Sequence, residues 1–352
     1  MSEKVRVGIL GATGAVGQKF ALLLDGHPWF EVGALAASER RVGEPYGETV
    51  NWKQSGEIPE SLRAMRVQSC SDELDCPVVF SGLDSSVAGE VEQDFARRGC
   101  WVFSNAKNHR MDEDVPLVIT ELNPDHLELI PIQRRRRNWR GAIVTNANCS
   151  TIALAMALGP LHQKYELDKV HVVTMQALSG AGYPGVPSLD ILGNVVPYIG
   201  SEEDKIESEA QKILGRFLDG RVEHADFTVS AQANRVAVEE GHLECVSLSF
   251  RGQRPSMEEV RACWTEFRGQ PQRLGLPSAP PQPVVVRSEP DRPQPRLDVW
   301  TQNGMAAVIG RLRPCPLLDY KFLVLGHNTV RGAAGASILN AEYVYRDRFL
   351  GS

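Results

Sequence analysis

Two stretches of this chain carry residues whose types and spacing could do chemistry. The first is Asn146-Ala147-Asn148-Cys149-Ser150-Thr151. Ala142-Ile143-Val144 before it reads as a buried strand, and Ile152 to Leu158 after it as a helix closed by Gly159-Pro160. Cys149 therefore falls at a strand-to-helix turn, beside the first unpaired N–H groups of the helix. That position favours negative charge, predicts a lowered thiol pKa, and would make the thiolate a nucleophile. The same placement suits a small buried hydrophobe, as most free cysteines are, and placement alone does not separate the two. A thiol nucleophile needs a base, and His is the usual one near neutral pH. His242, in Glu240-Gly241-His242 between two strands, is the leading candidate.

The second stretch opens the chain. Val5-Arg6-Val7-Gly8-Ile9-Leu10 reads as a buried strand, Gly11-Ala12-Thr13-Gly14-Ala15-Val16-Gly17 follows at once, and Gln18 to Leu24 continues as a helix. Strand, glycine turn and helix is the order a dinucleotide needs. Glycines let the backbone approach the pyrophosphate, and the helix N-terminus meets its charge. The spacing is G-x-x-G-x-x-G, not G-x-G-x-x-G, and a plain turn is the competing reading. The second strand, Glu31 to Ala37, runs out into Ser38-Glu39-Arg40-Arg41. A hydroxyl with arginine suits the 2′-phosphate of NADP, whereas Glu39 turned inward would hold the 2′-hydroxyl of NAD. All four residues could also form a solvated loop.

The elements that must position these groups follow. Pro77 to Ser81 and Cys100 to Asn105 read as strands, Ser86 to Arg98 as a helix, and Leu117 to Thr120 as a shorter strand. This alternation predicts a mostly parallel, doubly wound sheet. The turn Ser104 to Arg110 lies at the C-terminal end of a strand, where such sheets place ligands, and its basic groups suit an anion. Beyond Cys149 the character changes. His171 to Gln176, Arg235 to Glu239, Leu243 to Phe250, Met305 to Leu312 and Lys321 to Leu325 read as strands, and Glu203 to Phe217 and Met257 to Phe267 as helices. A second, α+β domain with a largely antiparallel sheet is expected. Proline-rich Gln270 to Arg296 reads as a long surface connection. A terminal helix from Asn328 to about Tyr345 has small residues that allow close packing on the first domain.

Composition bounds the function. A length of 352 residues suits two domains. The net charge of −6 gives no global attraction to nucleic acid or anionic membrane. Arg134 to Arg137, the one concentrated basic run, reads as a solvated surface with an interface role as the alternative; an RNA-binding role would rest on four charges alone. The start, Met1-Ser2-Glu3-Lys4, has no signal-peptide pattern, and no apolar run is long enough to cross a bilayer. Seven cysteines without a C-x-x-C pair argue against a disulfide framework or zinc site, so no metal is expected, and a cytoplasmic setting is.

Taken together, these motifs resemble the aspartate-β-semialdehyde dehydrogenases, most closely the branch found in archaea and fungi, over nearly the whole chain. Gly11, Ala12, Thr13, Gly14, Ala15, Val16 and Gly17 match the family's NADP turn. Ser104 to Arg110 matches the segment that meets phosphate, through Arg110 with Asn108. Asn148-Cys149-Ser150-Thr151 matches the nucleophile. Gln176 to Gly185 matches the segment with a substrate-orienting glutamine, Gln176, and a cofactor-contacting Ser179-Gly180. Glu202, Glu203 and Lys205 match the acid and lysine on the substrate ammonium and phosphate. Arg235 matches the carboxylate-binding arginine, His242 the acid/base, and Asn328 a residue beside the nicotinamide.

The resemblance implies the architecture of glyceraldehyde-3-phosphate dehydrogenase. Residues 1–148 would form a Rossmann-like NADP-binding domain completed by a C-terminal helix over 328–352, and residues 149–327 an α+β catalytic and dimerisation domain. It implies NADPH-dependent reductive dephosphorylation of L-aspartyl-4-phosphate to L-aspartate-4-semialdehyde in a homodimer or homotetramer. Malonyl-CoA reductase is similar in fold, but its nucleophile segment lacks the Asn-Ala-Asn seen before Cys149. N-acetyl-glutamyl-phosphate reductase usually carries a Pro-Gly-Cys-like segment, absent here. A non-catalytic NADP-binding sensor would keep the glycine turn and need neither Cys149 nor His242.

Overall fold

The structure, a computed structural model, describes residues 3–349; residues 350–352 of the expected terminal helix lie outside the described residues. The first domain runs β1 (Val5–Leu10), α1 (Ala15–Leu24), β2 (Phe30–Ala37), β3 (Val67–Ser69), β4 (Val78–Ser81), α2 (Ser85–Arg98), β5 (Trp101–Ser104), α3 (Leu129–Arg137) and β6 (Ala142–Thr145). Its six strands are parallel in the order β3-β2-β1-β4-β5-β6. β4, β5 and β6 are buried at every residue, which is why they read as apolar runs rather than alternating ones. The strand order reverses between β1 and β4. That switch point opens a crevice at the C-terminal ends of the strands.

The second domain runs α4 (Cys149–Tyr165), β7 (Leu167–Gln176), α5 (Glu202–Ile213), the hairpin β8 (Arg216–Leu218) and β9 (Arg221–Glu223), β10 (Thr228–Arg235), β11 (His242–Phe250), α6 (Met257–Glu266), β12 (Val284–Val286), β13 (Ala307–Pro314) and β14 (Tyr320–Gly326). Its sheet order is β10-β7-β11-β14-β13-β12. The three central pairings are antiparallel and the two edge pairings parallel, so the sheet is mixed. α4 lies across this sheet, buried continuously from Ser150 to Leu161.

The helix α4 does not close at Gly159-Pro160 as the sequence predicts; it runs on to Tyr165. Pro160 removes one helical hydrogen bond, but packing overrides it. Gly159 lies against Leu122, whose Cδ2 would be 2.6 Å from a Cβ there. Trp264 also holds the Ala157 carbonyl at 2.8 Å.

Other expectations are corrected by identifiable contacts. Leu117 to Thr120 forms only a bridge from Leu117 to Thr145, because the Asn123 side chain takes the Ile119 N–H and the Leu117 carbonyl. The strand expected over Arg235–Glu239 ends at Arg235, where the chain turns so that the Val238 carbonyl accepts from Leu178. The helix expected to reach Phe217 stops at Ile213, and Phe217 belongs to β8.

The long connection over Gln270–Arg296 carries structure of its own: a short helix, edge strand β12 and a Ser278 N–H shared by both oxygens of buried Glu342. The basic run is not simply solvated, since Arg137 pairs with Asp112 and Asp114 and Arg134 stacks on Trp101.

The C-terminal segment is helical from Val330, with wider turns flanking α7 (Gly335–Val344). It returns to the first domain. Ala334, Ile338, Ala341 and Val344 share a core with β1, β4 and β5. Asn340 donates to the Val118 carbonyl at 3.1 Å.

Candidate active site

A cleft of about 660 Å³ opens where the two domains meet. Successive strand ends of the first sheet furnish one wall: Thr13 to Val16 after β1, Gly82 to Ser85 after β4, and Asn105, Lys107 and Arg110 after β5. Asn148 and Cys149 after β6 lie at its base, and Ser179, Gly180, Lys205 and Asn328 complete it.

Cys149 is the first residue of α4. Asn148 caps that helix, its Oδ1 accepting from Ser150 and Thr151 N–H at 3.0 and 3.2 Å. The Cys149 Sγ lies 3.2 Å from His242 Nε2. His242 is fully buried, and its Nδ1 accepts the Ala177 N–H at 3.1 Å. A neutral imidazole has one donor and one acceptor nitrogen. With Nδ1 fixed as the acceptor, the proton sits on Nε2 and points at sulfur. In the resting protein His242 is therefore a donor to Cys149 rather than a base waiting for its proton.

The electrostatics correct the expected lowering of the thiol pKa. Burial pushes Cys149 up to about 12, with Glu202 adding to the rise against Lys205, Arg110 and Arg235. Desolvation outweighs the three neighbouring cations here. Burial, then the charge of Arg235, brings His242 down to about 3. The resting pair is thiol and neutral imidazole. Its alkylation by iodoacetamide should rise only on the alkaline side, because a raised thiol pKa delays thiolate formation. A plateau already present at neutral pH, with an inflection near about pH 6.5, would show a thiolate–imidazolium pair instead.

Behind Cys149 lies a closed group of polar residues. Glu202 Oε1 accepts from Asn148 Nδ2 at 2.8 Å and from Gln176 Nε2 at 3.0 Å, and its Oε2 pairs with Lys205. These partners hold the Glu202 carboxylate below its usual range against the opposing effect of burial. Glu203 does not join them; its Oε1 accepts the Ala233 N–H of β10 at 2.9 Å. Arg235 is buried and donates to the Ala177 carbonyl at 2.7 Å. Gly180 lies directly over it: a Cβ there would be 2.8 Å from His242 Cε1 and 2.9 Å from Arg235 Nη1. Any side chain at this position would have to displace both of them. On the far wall Arg110 donates to Glu209 Oε1 at 2.9 Å and to the Asn105 carbonyl at 2.7 Å. Asn108, expected beside it, is exposed and gives its amide to the Ser85 carbonyl at 2.9 Å, so Asn105 and Lys107 line the cleft in its place.

The first wall fits a dinucleotide. Gly11 has φ +75°, and a Cβ on it would stand 2.9 Å from the Gly82 carbonyl oxygen, so only glycine closes this turn. Gly17 and buried Ala12 pack the turn, while Thr13, Gly14, Ala15 and Val16 face the cleft at the start of α1. Asn328 is fixed between the Gly241 N–H and the Ser179 hydroxyl, each at 2.8 Å. Ser38, Arg40 and Arg41 stand on an exposed turn after β2. Arg41 is bound to Thr49, through its hydroxyl at 2.9 Å and its carbonyl, and Glu39 is held by Ser69 rather than turned inward.

Comparison with known proteins agrees with this geometry. The family model described as semialdehyde dehydrogenase, NAD binding domain, matches residues 6–130, and that of the semialdehyde dehydrogenase dimerisation domain matches residues 158–331. Aspartate-semialdehyde dehydrogenase of Archaeoglobus fulgidus is 51% identical over 98% of this chain and 99% of its own. The chain belongs to the aspartate-semialdehyde dehydrogenase family. The fungal enzyme of Schizosaccharomyces pombe is 49% identical over 96% of this chain and 97% of its own. The crystal structure of Candida albicans aspartate-semialdehyde dehydrogenase with NADP superposes with a TM-score of 0.91 at 44% identity, over 98% of this chain and 99% of that one. Membership gives the Rossmann-like domain its nicotinamide nucleotide and the second domain its part in homo-oligomerisation. No helix among the described residues is long and apolar enough to cross a membrane.

Glu209 is a site residue that the motifs did not single out. It is 1% exposed and bonds both Arg110 and the Asn148 N–H. A signal existed: Glu202, Lys205, Glu209 and Lys212 recur at spacings of three and four along α5, placing them on one face. Lys212 donates to the carbonyls of Arg110, Asp112 and Val115, which holds the arginine turn against α5.

Proposed function

We propose that this chain reduces L-aspartyl-4-phosphate to L-aspartate-4-semialdehyde with NADPH, through a thioester on Cys149, in the biosynthesis of lysine, threonine, methionine and isoleucine. The observation that carries this is Cys149 at the base of an interdomain cleft, 3.2 Å from His242, with Arg110 and Lys205 on the cleft wall. As the Cys149 sulfur attacks the acyl carbon, the thiol proton passes to the departing phosphate, which Arg110 and Lys205 hold as its leaving charge develops. The substrate ammonium pairs with Glu202, which neutralises the charge that most opposes the thiolate after burial itself. Arg235 grips the α-carboxylate as a two-donor fork. Gln176 orients the carbonyl.

NADPH supplies the hydride when bound. The alkoxide so formed expels the Cys149 thiolate toward the His242 Nε2–H, which stabilises the departing charge by a hydrogen bond, and a proton from solvent then restores the thiol. Of the two neighbouring acids, Glu202 suits the ammonium because Glu203 is committed to β10.

The catalytic unit begins at Cys149, and the C-terminal helical segment completes the nucleotide domain, supported by the core it shares with β1, β4 and β5. A homodimer or homotetramer in the cytoplasm, without nucleic-acid or membrane partners, is the assembly that fits. The test is phosphate-dependent NADP reduction with aspartate semialdehyde, run beside malonyl-CoA reduction. Activity with malonyl-CoA and none with the semialdehyde would overturn the reading.

Arg40 has no hydrogen bond or ion pair among the described residues, and it faces solvent beside Ser38. A charge-assisted bond to the 2′-phosphate is worth roughly 1.5–3 kcal/mol. NADPH should therefore be preferred over NADH by about tenfold to a hundredfold, and Arg40→Ala should lose most of that preference. Equal kcat/KM with both cofactors in the unaltered protein would contradict this assignment.

A further inference from the structure

We infer that Glu209 is a positioning residue that couples the phosphate arginine to the nucleophile. The inference rests on the reading that Arg110 holds phosphate. Three observations support it. Glu209 is buried near the middle of α5. Its Oε1 accepts from Arg110 Nη1 at 2.9 Å, and its Oε2 accepts from the Asn148 backbone N–H at 2.6 Å. Asn148 in turn caps the helix that begins with Cys149, and its Nδ2 bonds Glu202. One carboxylate thus joins the anion-binding side chain to the peptide that sets the direction of the thiol.

Two consequences of opposite sign follow. The negative charge beside Arg110 opposes phosphate binding, since an arginine already paired attracts an anion less strongly. The same carboxylate fixes the Asn148 peptide, and a displaced nucleophile reacts slowly with a correctly bound substrate. Glu209 therefore trades phosphate affinity for alignment of Cys149. A residue that only supported the fold would weaken both. Arg110 also has a buried Nε without a partner, so its donors are not exhausted by Glu209 and the Asn105 carbonyl.

The test uses Glu209→Gln and Glu209→Asp in the full chain, assayed in the direction that consumes phosphate. Glu209→Gln keeps the size and removes the charge. It should lower the Michaelis constant for phosphate severalfold while kcat falls by tenfold or more. Glu209→Asp keeps the charge and shortens the reach. It should lower kcat without tightening phosphate. Protection of Cys149 from iodoacetamide by inorganic phosphate reads binding without turnover, and half-protection should need less phosphate in Glu209→Gln than in the unaltered protein. A phosphate constant that rises in both variants, or a kcat unchanged in both, overturns the inference. If Arg110→Ala leaves phosphate protection unchanged, it is the assignment of Arg110 to phosphate that fails. Unchanged NADPH affinity and thermal unfolding in Glu209→Gln exclude loss of fold as the cause.

Discussion

Cys149→Ala should turn over more slowly than the unaltered protein by a factor on the order of 10⁴ to 10⁶, the loss seen when a covalent nucleophile is removed. NADPH should still bind with nearly normal affinity, because the thiol is not among the groups proposed to hold the nucleotide, the glycine turn after β1 and Asn328. Cys149→Ser should be almost as slow. A buried site that already raises a thiol to about 12 leaves a hydroxyl protonated. Fluorescence titration with NADPH beside a turnover assay measures both quantities. Substantial activity in the alanine variant would remove the covalent mechanism.

Arg235 and Arg110 should separate by reactant. In the phosphate-consuming direction, Arg235→Ala should raise the Michaelis constant for the semialdehyde by about tenfold to a hundredfold, the worth of a charge-assisted bond. It should lower kcat as well, since a loosened substrate carbon leaves Cys149. Arg110→Ala should instead raise the constant for phosphate. Lysine at 235 should restore little, because a point charge lacks the planar fork. Arg235 also holds the Ala177 carbonyl, and Ala177 fixes the His242 tautomer. The kcat effect therefore has a second route through the histidine, which Arg110→Ala lacks. Equal effects of both alanine variants on both constants would show that the arginines are structural.

The parts of this site legible in the sequence are those whose chemistry is local. The glycine turn, the strand-to-helix cysteine and the alternating strands follow from neighbours a few residues apart. The parts that differ from the sequence expectation depend on contacts made across the fold. Gly159-Pro160 looks like a helix end until Leu122 and Trp264 enclose it. Leu117 to Thr120 looks like a strand until the Asn123 side chain takes its backbone groups. The helix N-terminus argues for a lowered thiol pKa, but desolvation, with the charge of Glu202 adding to it, raises the thiol instead. The tautomer of His242 is set by the Ala177 amide, 65 residues away. Glu203 and Asn108 carry suitable chemistry in suitable motifs, yet backbone groups of β10 and of the Ser85 turn claim them. Glu209 shows the reverse: a helical stripe of charge was present in the sequence, but its partners Arg110 and Asn148 come from the other domain's strand ends.

In this mechanism Cys149 carries the acyl group. Mixing the protein with aspartate semialdehyde and NADP in the absence of phosphate tests it most directly, with intact-protein and peptide mass spectrometry beside absorbance of NADPH. Sulfur adds to the aldehyde, the hydride passes to NADP, and the hydroxyl proton is released, so the thioester should accumulate for want of phosphate. The expected result is a burst of NADPH equal to the number of sites, one aspartyl acyl group on the peptide bearing Cys149, and its release by added phosphate. No burst, an adduct on another residue, or a burst that survives in Cys149→Ala would contradict it.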